Sequence, residues 1–90
     1  MSETSWQARD EWVGSQIEDL FVMINLDHGK YVSLNATANH VWQMLATPHT
    51  ESEIVASLTD SFDVDADRAR ESLGRLLHEL ETKNLVRRVD

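Results

Sequence analysis

Hydrophobic residues before position 35 come in short strand-like runs, and beyond it they recur at intervals of three and four. Residues 12–16 form a weak strand candidate interrupted by Gly14. The run Leu20-Phe21-Val22-Met23-Ile24-Asn25-Leu26 is stronger. Both of its faces are apolar apart from Asn25, which predicts a central strand covered on both sides. Asp27-His28-Gly29-Lys30 reads as a turn, because glycine takes positive φ at little cost. A return strand follows over 30–34, with Val32 and Leu34 on one face and Tyr31 and Ser33 on the other. With His28-Gly29 as a two-residue loop, the hydrogen-bonded pairs are Asp27–Lys30, Asn25–Val32 and Met23–Leu34.

The period then changes. Asn35 suits a helix N-cap, since its side chain can accept from the next turn's N–H groups. Ala38, Val41, Trp42 and Leu45 give a first helix of about three turns, stopping before Pro48, the one proline. Thr50-Glu51-Ser52-Glu53 has the capping-box pattern, and Ile54, Val55 and Leu58 make the buried stripe of a second helix. Asp65 caps a third helix, in which Ala69, Leu73, Leu76, Leu77 and Leu80 share a face and which ends near Asn84. Leu85, Val86 and Val89 form an apolar tail that packs back onto the core. The expectation is an α+β fold: a three-stranded antiparallel sheet followed by three helices, related to winged helix-turn-helix domains.

Ninety residues support one core, so residues 1–90 are read as one domain with its core at about 12–89. No cysteine is present, which excludes disulfides and thiolate metal sites. Met1-Ser2-Glu3-Thr4-Ser5-Trp6 lacks the basic and apolar regions of a signal peptide, and no apolar run approaches the roughly 20 residues of a membrane helix. A cytoplasmic location is expected, with no membrane contact. Sixteen acidic residues against 8 basic give a net charge of −8, unfavourable to general phosphate-backbone binding.

The run from Leu26 through Gly29-Lys30-Tyr31-Val32-Ser33-Leu34-Asn35-Ala36-Thr37-Ala38 to Val41-Trp42 resembles the PqqD-like family. So do Thr50-Glu51-Ser52-Glu53-Ile54 and the close Leu76-Leu77, Leu80, Asn84-Leu85-Val86, in that order and spacing. Asn84 stands where the family commonly has glycine, and asparagine is compatible with a left-handed cap. The resemblance covers about Leu20 to Val86. It implies a non-catalytic recognition element that binds the leader of a ribosomally made precursor peptide as an added strand. The enzyme partner would be a leader peptidase, cyclase or radical-SAM enzyme. Gly29 and the Trp42, Leu45, Pro48 spacing look more like the stand-alone lasso-peptide members than those serving pyrroloquinoline quinone synthesis.

On this reading the return strand is a free edge, open to strand addition. The leader pairs with Tyr31, Val32, Ser33 and Leu34 and drops apolar side chains toward the third helix. With Ala69, Leu73, Leu76 and Leu80 centring the buried stripe, Arg70, Gly74 and Leu77 form the expected groove wall beside Leu73. The opposite shoulder, Arg68, Ser72, Arg75 and Glu79, is the fallback. No cofactor or metal is expected: His28, His40, His49 and His78 lack ligand spacing and read as exposed polar positions, and no activated nucleophile motif occurs. The alternative is a small winged-helix DNA-binding regulator using Arg68, Arg70 and Arg75, yet carboxylates interleave with these arginines, which are more simply explained by intrahelical pairs. Trp42 reads as core. Trp6 and Trp12 cover the sheet's second face, or one of them anchors a partner.

Overall fold

A computed structural model describes residues 4–18 and 20–89; Met1-Ser2-Glu3 of the N-terminal segment read above lie outside them. The element order is β1 (Ser5–Ala8), β2 (Trp12–Ile17), β3 (Leu20–Asn25), β4 (Lys30–Leu34), α1 (Ala36–Met44), β5 (His49–Thr50), α2 (Glu51–Ser61), α3 (Ala66–Thr82) and β6 (Val86–Val89). β2, β3 and β4 form an antiparallel sheet in that order, as expected, and the three helices follow it.

The helix boundaries follow from side-chain chemistry visible in the sequence. Asn35 accepts from the Ala38 N–H at 2.8 Å, and Asp65 accepts from Arg68 at 2.8 Å. Thr50 and Glu53 close a reciprocal capping box. α3 ends in a Schellman arrangement: Leu85 N–H donates to the Leu80 carbonyl and Asn84 N–H to that of Glu81. Asn84 sits at φ 63°, the left-handed position that asparagine tolerates when glycine is absent.

A second antiparallel sheet, ordered β5-β1-β6, was not foreseen. The expected apolar tail is its strand β6, pairing Ser5 with Val89 and Ala8 with Val86. Trp6 on β1 is buried in the core and stacks under the Arg88 guanidinium, 5.0 Å from the ring centroid. Trp12 is buried as well, and its indole Nε1 donates to the Asn84 carbonyl at 2.8 Å. Neither indole is an exposed partner anchor. Trp42, expected as core, is half-buried at its edge.

Two expectations about the first sheet need correction. β3 is not covered on both faces. Phe21, Met23 and Asn25 face inward, while Leu20 and Ile24 are exposed together with Val13 and Ile17 on β2 and Tyr31 on β4. The β3–β4 register also differs by two residues: Asn25 pairs with Lys30, Met23 with Val32 and Phe21 with Leu34. Asn25 is the cause. Its buried Oδ1 accepts from the backbone N–H groups of Asp27 and His28, both at 2.9 Å. This Asx geometry widens the turn to the four residues Leu26–Gly29, with Gly29 at φ 66°.

Candidate functional site

β4 is an edge of its sheet, and the direction of its free backbone groups follows from β3. The Leu26 N–H donates toward β2, to the Glu11 carbonyl at 3.2 Å. Alternate residues of a central strand bond to opposite neighbours, so Asn25, Met23 and Phe21 bond to β4. Their partners Lys30, Val32 and Leu34 turn their backbone groups inward. Tyr31 and Ser33 therefore present theirs outward. A two-residue shift preserves this parity, so the free groups are those expected from sequence although the pairs are not.

Beside this edge runs a groove walled by α3. Its first part, about 140 Å³, lies between Val32-Ser33-Leu34-Asn35 and the Leu76, Glu79, Leu80 and Lys83 side of the helix. Asn35, Ala38 and Leu76 also line a larger apolar cavity of about 260 Å³, closed by Leu58, Phe62, Val64, Ala69 and Leu73, with Arg68 and Ser72 among its polar lining. An extended segment on β4 thus passes alongside a place to bury an apolar side chain.

The groove wall is not the expected one. Leu77 is 1% exposed and belongs to the core cluster with Leu85 and Val86, while Leu76 is only half-buried. α3 is packed against α2 and β6. Its buried stripe runs Ala69, Leu73, Leu77, Leu80, with Leu77 in the place that the sequence reading gave to Leu76. Arg70 and Gly74 are exposed, a methyl group at Gly74 would meet nothing within 4 Å, and neither lines the groove. Of the shoulder given as the fallback, Glu79 lines the part beside β4 and Arg68 and Ser72 line the larger cavity, whereas Arg75 lines neither. Leu73 stays at the site as cavity floor. Tyr31, 74% exposed, contributes its backbone to the edge and its ring to the opposite face of the sheet.

Of the charged side chains lining the groove, Glu79 and Lys83 face each other beside β4, and Arg68 stands at the larger cavity. Lys83 pairs with Glu79 at 3.2 Å and Arg75 with Glu71 at 3.6 Å, both along the exposed side of α3. Among the described residues no three histidine or acidic side chains converge as metal ligands, and no helix is long and apolar enough to cross a membrane. His40 is not the free surface residue expected. It is half-buried, shares a 2.8 Å hydrogen bond with Ser57 Oγ, and meets the Phe62 ring edge-on.

The fold has counterparts among solved structures. One, described as TbiB1 in complex with the TbiA(beta) leader peptide, is 28% identical, covers 89% of this chain and 93% of its own, and superposes with a TM-score of 0.78. Another, lasso peptide synthetase B1 complexed with the leader peptide, has a TM-score of 0.79 at 23% identity over 91% and 96% of the two chains. A comparison with curated proteins gives no match. The family model described as coenzyme PQQ synthesis protein D matches residues 21–86, which span β3, β4, all three helices and the first residue of β6. With the open edge, the adjoining groove and that match in agreement, the chain belongs to the PqqD family.

Proposed function

We propose that this chain binds the leader of a ribosomally made precursor peptide as a fourth strand on β4 and presents it to the enzymes of lasso-peptide maturation. One observation carries the reading: a free strand edge, with Tyr31 and Ser33 pointing outward, runs beside an apolar groove. Main-chain bonds supply affinity in strand addition, and pockets for alternate side chains supply preference. Val32, Ser33 and Leu34 form one bank, and Leu73, Leu76 and the Arg68–Ser72–Glu79 shoulder the other. The leader peptides in the two similar structures support the assignment.

The chain acts by holding the peptide, without cofactor or chemical step, and residues 1–90 work as one recognition unit in the cytoplasm, where the precursor is made. The Ser57–His40 pair is no exception. Ser57 lies in the interior of α2, where backbone N–H groups are spent within the helix, leaving no backbone donors for an oxyanion beside it. The sheet face bearing Val13, Ile17, Leu20, Ile24 and Tyr31 is left for the enzyme, since exposed apolar patches mark interaction surfaces. Fluorescence anisotropy with a labelled leader from the neighbouring precursor gene tests the reading. Saturable binding that protects the Ser33 amide from exchange is expected; an unchanged anisotropy overturns it.

A further inference from the structure

The cavity beside β4 has one wall whose position depends on residues outside it. Phe62 is the C-cap of α2, where its N–H still donates to the Leu58 carbonyl at 2.9 Å but its backbone has turned extended. Its ring lines the cavity and is half-buried. The cavity lining around it is mainly aliphatic, and aliphatic packing has no preferred ring angle of the kind an aromatic edge imposes. His40 supplies a directional contact. The imidazole stands edge-on to Phe62, with centroids 5.4 Å apart and planes at 88°, the perpendicular arrangement aromatic rings favour. The imidazole is itself anchored, because Nε2 and Ser57 Oγ share a 2.8 Å hydrogen bond. His40 lies on α1 and Ser57 on α2, so the pair also fixes one helix against the other beneath the cavity.

We propose that His40 is a positioning residue that sets the size of the apolar cavity by holding Phe62, and thereby determines which leader side chain fits. The inference rests on the leader-binding reading for its biological meaning. It deepens that reading by naming the residue that tunes selectivity. Ser57 fixes the imidazole rotamer, the imidazole fixes the Phe62 ring, and the ring limits the cavity to its volume of about 260 Å³. With His40 cut back to alanine, Phe62 can swing toward the vacated space and the cavity widens. Bulky side chains then gain relative to small ones.

The test needs no leader. N-acetyl-leucine amide and N-acetyl-tryptophan amide are titrated into the protein, and NMR shifts of Leu58, Phe62 and Leu73 report their affinities. His40→Ala is expected to move the tryptophan-to-leucine preference toward tryptophan by about tenfold, the lower end of what one methylene discriminates in an apolar pocket. His40→Phe keeps an aromatic edge against Phe62 but loses the bond to Ser57, so its ratio should fall between those of the parent and His40→Ala, a partial rescue that loss of stability alone cannot give. Ser57→Ala should lie between and serves if His40→Ala does not fold. An unchanged ratio in the folded variants overturns the inference, as does the absence of shifts at the cavity in the parent. A parent that binds both amides but no labelled leader would count against the functional reading instead.

Discussion

At the scale of single residues, Leu76 and Leu77 divide the work of α3. Both fit the apolar stripe of the sequence, and helical spacing alone cannot say which neighbour turns inward. That depends on what covers the helix, and part of the cover is β6, whose pairing with β1 joins residues about 80 apart in sequence. Leu77→Ala should therefore lower stability by about 2–5 kcal/mol in denaturant unfolding, the range for truncated core leucines. Leu76→Asp should leave a cooperative fold but weaken leader binding by about 2 kcal/mol, as for a central interface contact. Gly74→Ala should raise stability by up to about 1 kcal/mol through helix propensity, with leader affinity unchanged, because the position is exposed and away from the groove. Weaker binding by a stable Gly74→Ala variant would return the groove to the Arg70 side. Asn25 carries a related lesson. Its place in an apolar strand was legible, whereas its capture of two turn amides was not, and that capture sets the register.

Among the elements, those whose signals lie within a few residues were readable in advance: the caps at Asn35, Thr50 and Asp65, and the hairpin around Gly29. β1 and β5 were not. Ser5-Trp6-Gln7-Ala8 and His49-Thr50 are too short for alternation to register, and each becomes a strand only through a partner distant in sequence. The β4 edge gives a sharp pair of substitutions. Ser33→Pro deletes an N–H that faces outward, so circular dichroism should show a folded domain while leader affinity falls about tenfold, the equivalent of one lost main-chain bond. Val32→Pro removes an N–H bonded to β3 and should unfold the sheet. The start of α2 responds to acid. Acceptance from the Thr50 backbone N–H holds the Glu53 carboxyl below its ordinary pKa. Its contribution to stability is complete above the ordinary carboxylate range and is lost as pH falls through the lowered value. Glu53→Gln should flatten that acid slope in thermal unfolding, and Thr50→Ala should cost about 1 kcal/mol at neutral pH.

For the molecule as a whole, β4 separates two surfaces, an inward groove and an outward apolar face. Ile24→Lys tests their independence. The side chain is exposed on the outer face, so leader affinity and melting temperature should stay close to the parent's, while leader-dependent turnover by the partner enzyme declines. A parallel loss of leader affinity would show that the two surfaces are one. The clasp formed by β1 and β6 has a different kind of consequence. Ser5 and Val89 are directly paired, which brings their Cα atoms within about 5.5 Å. A protein fused at Ser5 or at Val89 therefore leaves from the same spot, and fusions in either domain order keep the attachment point. Ser5 and Val89 can likewise be bridged by a few glycines and the chain reopened in the exposed 46–48 segment between α1 and β5. Such a rearranged gene should still encode this fold.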